Sequence, residues 1–447
     1  MFKKVLVANR GEIAVRIIRA CRDLGLRTVA VYSEVDKEAP HVHLADEAHL
    51  IGGAQETKSY LDMAALMRAV TDSGADAIHP GYGFLSENHR FAEVCRAWGI
   101  TFIGPDPGAI EEMGVKARAK ERMRAAGVPV APGSDGTLRD PSEAAEVARR
   151  IGYPVLVKAS AGGGGRGIRV VHDEQELAQA MERAAAEAQA YFGDGQLYLE
   201  KYLPDPRHIE IQVLADAHGR VASLGERESS MQRRRQKILE EAPAVPVDAA
   251  LRRRMGEAAA KAAAAVGYKS AGTVEFLLDR DGSFYFMEMN TRVQVEHPCT
   301  ELVTGVDIVA EQLRVAMGEP LDLPEAVEPS GWAVECRVNA EDPERNFLPC
   351  PGTITAYEAP GGPWVRVDSG VSAGSVVSPF YDSLLAKVIT WGRDRTQALD
   401  RMRRALQEFR VEGITTTIPL HLKLLEDPDF RHGEYHINFL EQRFGQP

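Results

Sequence analysis

Apolar residues in the first hundred positions fall into short blocks, separated by stretches where they recur at helical spacing. Residues 5–8 (Val-Leu-Val-Ala) make a buried-strand run. Asn9, Arg10 and Gly11 supply turn chemistry, and Ile13, Ile17, Ala20 and Cys21 then recur every three or four positions. Further strand blocks stand at 28–32, 77–79 and 101–103. Strand and helix alternating in this way predict a parallel sheet covered on both faces, a Rossmann-like α/β domain over residues 1–115. The first turn lacks Gly-x-Gly-x-x-Gly, so a dinucleotide is not expected there.

After Gly114 the pattern predicts a charged helix over 115–126 and a turn-rich passage over 127–136. Strands are expected at 154–158, 167–171, 198–203 and 208–213, and helices at 174–190 and 252–266. From about Trp332 the chain is rich in strands and turns, with a helix over 396–409. The whole is α/β and α+β.

Composition narrows the function. The 447 residues suit about three domains. Acidic residues outnumber basic ones 65 to 53, a net charge of -12, which argues against nucleic acid as a partner. The apolar run at the start is broken at once by Asn9, Arg10 and Glu12, so neither a signal peptide nor a membrane anchor is expected, and the cytoplasm is the expected compartment. Five widely spaced cysteines offer neither a disulfide framework nor a zinc site.

Four features carry chemistry. Residues 158–167 (Lys158 to Gly167) join two strands through four consecutive glycines, whose backbone amides can converge on phosphate oxygens. The run is not a P-loop, and it reads as a flap over a nucleotide or as a mobile linker. Asp281-Gly282 signals a two-residue hairpin, in which partner numbers sum to 563 and place Glu275 opposite Glu288, with Asn290 on the same face. Two carboxylates and an amide oxygen suit Mg²⁺; the alternative is a solvated edge hairpin. Just beyond, Arg292 offers a fork for an oxyanion and Glu296 a general base, unless the two form an ordinary ion pair. The basic run 232–237 could bind an anion, face solvent, act as a localisation signal, or pair with acids such as Glu240 and Glu241.

The whole chain resembles the biotin carboxylase family, the ATP-grasp component of acetyl-CoA carboxylase and its relatives. The strings that carry the resemblance are residues 8–14 (ANRGEIA), 79–88 (HPGYGFLSEN), 289–292 (MNTR) and 335–342 (ECRVNAED). The resemblance implies an ATP-grasp domain over 116–330, with a mobile lid at about 131–203, and a carboxylase C-terminal domain over 331–447. It implies that Lys116, Lys158, Gly164 and Gly165 bind ATP phosphates, that Glu200 and Leu203 lie at the adenine, and that His208, Gln232 and Arg235 contact the nucleotide. Glu275, Glu288 and Asn290 would hold two Mg²⁺ ions, or Mn²⁺. Lys237, Arg292, Gln294, Val295 and Glu296 would surround bicarbonate, with Glu296 the base. Tyr82 would face biotin, and Arg337 would stabilise the oxyanion of its deprotonated ureido ring.

The implied reaction is the ATP- and bicarbonate-dependent carboxylation of biotin through carboxyphosphate, the first half-reaction of acetyl-CoA carboxylase in fatty acid synthesis. No Met-Lys-Met acceptor occurs, so biotin is expected on a separate carrier protein, with separate carboxyltransferase subunits and a homodimeric enzyme. Three positions depart from the family pattern: Ala161 for glycine, Arg235 for histidine and Cys350 for serine. Another acyl-CoA or pyruvate carboxylase, or another ATP-grasp ligase, is the alternative. A nucleotide-sensing module would not need Glu296, and a dehydrogenase would need the missing glycine fingerprint.

Overall fold

The computed structural model describes residues 1–134, 136–138, 140–159 and 168–445, with side chains throughout except at Ala117 and Phe192. Strands β1 (Lys4–Val7), β2 (Arg27–Ser33), β3 (Glu47–Gly52), β4 (Ala77–His79) and β5 (Thr101–Phe102) form a parallel sheet in the order β3-β2-β1-β4-β5. Alternation along β1 explains the layering. Val5 and Val7 pack with Ile13 and Ile17 of α1 (Gly11–Asp23). Leu6 and Ala8 pack with Leu66 of α2 (Met63–Ser73) and Phe91 of α3 (His89–Ala97). Helices therefore cover both faces, as expected. Strand β3 is absent from the sequence expectation, because its mixed, half-exposed residues give it no apolar block.

The next unit follows α4 (Lys116–Ala125). Helix α5 (Pro141–Ile151) leads into β6 (Val155–Ala159), β7 (Ile168–Val171), α6 (Glu174–Phe192) and β8 (Leu197–Lys201), and the strands form a small antiparallel sheet ordered β7-β6-β8. Asp173 caps α6 by accepting from the amides of Gln175 and Glu176. Ala144, Ala148, Val155, Val157, Leu177 and Ala184 give this lid a core of its own. The glycine run, with Gly164 and Gly165, lies outside the described residues.

A large antiparallel sheet holds the rest together. It comprises β9 (Arg207–Ala215), β10 (Val221–Arg233), β11 (Gln236–Ala242), β12 (Ser270–Leu278), β13 (Phe284–Asn290), β14 (Trp332–Asn339), β15 (Val365–Ser369) and β16 (Leu384–Gly392), in the order β13-β12-β9-β10-β11-β14-β16-β15. Because β11 pairs with β14, the sheet runs unbroken across residue 330. Helix α7 (Ala249–Ala265), capped by Asp248, covers one part of it through Met255, Ala259 and Ala262. Helix α8 (His297–Thr304) packs on β14, and α9 (Arg395–Glu408) packs on β16. Among the described residues no helix is long and apolar enough to cross a membrane.

The expected two-residue turn at Asp281-Gly282 needs correction. Near the turn partners sum to 562, as in Leu277–Tyr285 and Leu278–Phe284, and a three-residue loop ends on Gly282 at φ 81°. The Asp279 carbonyl accepts from the Gly282 amide, and a further bond runs from the Asp279 amide to the Ser283 carbonyl. A register shift between Glu275 and Phe276 then leaves Met287 as the extra residue and restores Glu275 opposite Glu288. The pairing that matters arises from two departures that cancel.

His41 is buried in the helix Pro40–Leu44, its ring within 3.2 Å of the Val31 carbonyl. Burial lowers its pKa from 6.5 to about 4, against the opposing pull of Asp36. Between those values the unfolded chain binds a proton that the folded chain refuses, so His41 subtracts stability as pH falls through the window. In His41→Gln the slope of unfolding free energy against pH falls by up to ~1.4 kcal/mol per pH unit there. Urea denaturation at a series of pH values reads the difference; parallel slopes for the two proteins would contradict it.

Candidate active site

One cavity of about 1160 Å³ opens between the lid, the large sheet and the first domain. Every described residue singled out above for a site lines it: Tyr82, Lys116, Lys158, Glu200, Leu203, His208, Gln232, Arg235, Lys237, Glu275, Glu288, Asn290, Arg292, Gln294, Val295, Glu296 and Arg337. They come from segments as far apart as β14 and the turn after β4.

The sheet must curl to bring them together. Strands β11 and β12 are separated by β9 and β10, which in a flat sheet would hold them about 14 Å apart. Yet Lys237 Nζ on β11 lies 3.0 Å from Glu275 Oε1 on β12, so the site lies in a trough. Lys237 also touches Glu210 and Glu296, each at 2.5 Å. Burial opposes its charge, but three carboxylates outweigh burial and hold the ammonium protonated.

Glu275 is saturated with donors. Its Oε1 accepts from Lys237, from Asn290 Nδ2 at 2.9 Å and from Gln294 Nε2 at 2.7 Å, while Oε2 lies 2.9 Å from His208 Nε2. Burial would raise its pKa, but Lys237 and His208 carry it well below the ordinary carboxylate range. Across the hairpin Glu288, on the edge strand, pairs with Lys116 at 3.0 Å and is about a third exposed. The two glutamates differ, then: one is buried and ionised, the other open to the cavity. With the Asn290 amide they supply oxygen donors of the kind Mg²⁺ takes, and they fit such an ion. His208, Glu210 and Glu275 also bring ligand atoms within 4.8 Å of one another, and Glu210, like Glu275, is held by Lys237.

Glu296 sits between cations. Its Oε1 takes Lys237 and its Oε2 takes Arg337 Nη2 at 2.9 Å, and against the effect of burial these cations hold it well below the usual pKa. Arg337 is held in turn by Glu240, which accepts from Nε at 2.7 Å and from Nη2. Burial and the nearby Glu296 leave the Glu240 carboxyl raised to about 7 despite Arg337.

The strings at 8–14, 79–88 and 289–292 prove to be one contact set. Asn9 Nδ2 donates to the carbonyls of Pro80 and Tyr82, both at 2.7 Å. A Cβ on Gly81, at φ 63°, would come within 2.9 Å of that amide, so the turn admits only glycine. Tyr82 donates to Glu12, and Glu87 accepts from Arg292 Nε at 2.9 Å and from the Thr291 amide at 3.1 Å.

At the lid end, Glu200 is gripped by Lys158 and by Lys120. Burial and neighbouring cations lower Lys158 to about 8 and Lys120 to about 7. Sequence reasoning missed Lys120, although its place one turn after Lys116 on α4 was a signal. The basic run is a hairpin tip: Gln232 pairs with Lys237 and Arg233 with Gln236, around Arg234 (φ 46°) and Arg235 (φ 69°). Lys237 pairs with Glu210, Glu275 and Glu296, while Glu240 and Glu241 bind Arg337 and Arg395.

Family models for the N-terminal domain of biotin carboxylase, for the ATP-binding domain of the carbamoyl-phosphate synthase L chain and for the C-terminal domain of biotin carboxylase match residues 1–110, 115–324 and 335–442. The chain belongs to the biotin carboxylase family. It is an enzyme, an ATP-dependent ligase. It is 56% identical over 443 residues to biotin carboxylase 1 of Bacillus subtilis, covering 99% of this chain and 98% of that one. It is 54% identical to a pyruvate carboxylase subunit of Methanothermobacter thermautotrophicus, covering 99% and 90%. It superposes with a TM-score of 0.91 and 52% identity, over 99% and 98%, on the biotin carboxylase domain dimer of Hydrogenobacter thermophilus 2-oxoglutarate carboxylase, a complex with MgADP, ADP and bicarbonate.

One further residue gave no signal in the sequence. Arg227 is wholly buried on β10 and binds Glu210 Oε1, Gln212 Oε1 and Gln294 Oε1, each at 2.7 Å, with Thr300 and Thr273 at 3.0 and 3.2 Å. Arg227→Met leaves Glu210 with half its partners and is expected to cost about 3–5 kcal/mol, as removal of one member of a buried ion pair does. Chemical denaturation reads this; a loss below about 1 kcal/mol would mean that water replaces the guanidinium.

Proposed function

We propose that this cavity carboxylates biotin with ATP and bicarbonate, and that the residues act as follows. Lys116, Lys158, His208, Gln232 and Arg235 bind the nucleotide with the glycine run, and Glu200 and Leu203 border the adenine. Glu275, Glu288 and Asn290 hold Mg²⁺, which when bound neutralises phosphate charge. Lys237, Arg292, Gln294 and Val295 hold bicarbonate against the γ-phosphate, so that two anions meet within reacting distance. Glu296 takes the bicarbonate proton, and attack on phosphorus gives carboxyphosphate and ADP. Carboxyphosphate yields CO₂ and phosphate under the closed lid, and phosphate removes the ureido proton of biotin. Arg337 stabilises the oxyanion beside Tyr82, and the ring nitrogen then takes CO₂.

The observation that carries this reading is the unbroken ion chain Glu275–Lys237–Glu296–Arg337, which links the proposed phosphate end of the cavity to the proposed biotin end. Lys237 and Arg337 keep Glu296 ionised and so ready to accept the bicarbonate proton.

The reading extends to partners: a biotinylated carrier protein, separate carboxyltransferase subunits of acetyl-CoA carboxylase, a homodimer, and a place in the cytoplasm. A pyruvate carboxylase is the second reading, favoured by the 54% identity to a pyruvate carboxylase component. Reconstitution with each candidate transferase separates the two by which acyl acceptor is carboxylated.

ADP release from MgATP tests the core reading. It should require bicarbonate and rise with free biotin; bicarbonate-dependent release indifferent to biotin would move the acceptor elsewhere. Glu288→Gln should raise the Mg²⁺ concentration needed for half-maximal rate about tenfold or more, as loss of a charged ligand does. An unchanged Mg²⁺ titration would leave Glu288 a surface residue. Arg337→Ala should lower biotin carboxylation about 10²–10³-fold, the scale of losing one oxyanion donor. The KM for MgATP should stay within about twofold, since Arg337 meets no nucleotide residue; an equal loss of ATP affinity would count against the role.

A further inference from the structure

Lys387 on β16 is wholly buried, stands outside the lining of the active-site cavity, and has no part in the chemistry above. Its ammonium nevertheless reaches three separate pieces of the molecule. It donates to the Val295 carbonyl at 2.7 Å, pairs with Glu12 Oε2 at 3.2 Å, and lies 4.0 Å from Asp368 Oδ2. The other oxygen of Glu12 accepts from the Tyr82 hydroxyl.

Each contact answers a need. Residues 291–296 are irregular backbone between β13 and α8, so no ladder satisfies their carbonyls. Val293, Gln294 and Val295 are satisfied instead by side chains: Arg292 at 3.2 Å, His297 Nδ1 at 2.7 Å and Lys387. Of the three, Lys387 alone comes from a distant part of the chain. Its own position is set by register, since Arg337, Lys387 and Asp368 stand side by side on β14, β16 and β15. The first domain is pressed onto this row: a Cβ on Gly370 would fall 2.5 Å from the Glu12 amide, so the strand end and α1 are in direct backbone contact.

We propose that Lys387 is a positioning residue: from one buried ammonium it fixes the segment 294–296 and, through Glu12, the ring of Tyr82, and so keeps the two halves of the reaction in register. The inference rests on the reading of 294–296 as the bicarbonate site and of Tyr82 as the biotin side. One hydrogen bond, to Val295, and two ion pairs, to Glu12 and Asp368, meet on one ammonium, an arrangement that a methionine or glutamine of similar length cannot reproduce. The charged groups around it are Glu12, Glu335 and Asp368, opposed by Arg366, so Lys387 faces carboxylates from both domains.

The test is steady-state kinetics on the full chain, with free biotin, for wild type, Lys387→Met and Glu12→Gln. Lys387→Met should raise KM for bicarbonate and for biotin about tenfold or more, the scale expected of a small misplacement, and leave KM for MgATP within about twofold. A fall in melting temperature with all three constants unchanged would make Lys387 merely structural, and so would a parallel rise in all three. Glu12→Gln keeps the side chain's size and carries the test should Lys387→Met fail to fold. Its effect on biotin KM should be non-additive with that of Tyr82→Phe, because the two act through one hydrogen bond; additive effects would overturn the proposal. Wild-type turnover that ignores biotin would overturn the functional reading and this inference with it. Biotin-stimulated wild-type turnover with unaltered variants would sink the inference alone.

Discussion

The ammonium of Lys237, set among Glu210, Glu275 and Glu296, is the interaction on which the site depends. Three buried carboxylates so close together would repel one another and take up protons. One cation shared among them keeps Glu275, the proposed metal ligand, and Glu296, the proposed base, ionised. It does so only because the sheet curls, which brings β9, β11 and β12 within reach of one side chain. Curvature and charge are therefore a single constraint. The trough would be unfavourable without the lysine, and the lysine could not touch all three acids without the trough.

Rigidity follows a division of labour. The groups proposed to do chemistry stand on one eight-stranded sheet and on the segment tied to it by Arg227 and Lys387. The unit expected to act as a lid has a separate sheet and a separate core, and it carries Lys158 and Glu200. A change in its position would leave the distances between Glu275, Glu296 and Arg337 undisturbed.

What the sequence made legible was local or came in strings. The glutamate pair was placed from a two-residue turn that the structure replaces with a longer loop and a bulge, two departures that cancel, and the four strings named the family. What stayed hidden were single charges whose meaning depends on distant partners. Arg227 reads as one more charge between Glu226 and Glu228, and Lys387 as a lone cation in an apolar strand. No spacing links Lys387 to Val295, 92 positions away. The run 232–237 stayed open for a related reason. Read as consecutive charges it is a basic patch; as a two-residue turn it sends Lys237 to three buried acids and leaves Arg233 on the ring of Phe347.

The hairpin that carries the glutamates bears on how this family can vary. Its loop is one residue longer than the shortest turn, and the surplus is absorbed by the bulge at Met287. Because pairing is regular on both sides of the bulge, a residue gained or lost within the loop, or the loss of Met287 itself, leaves Glu275 opposite Glu288. The constraint falls on the strand beyond the bulge, where one residue inserted between Glu288 and Asn290 would turn the two side chains to opposite faces. Length is free to vary at the tip of this hairpin and fixed at its base.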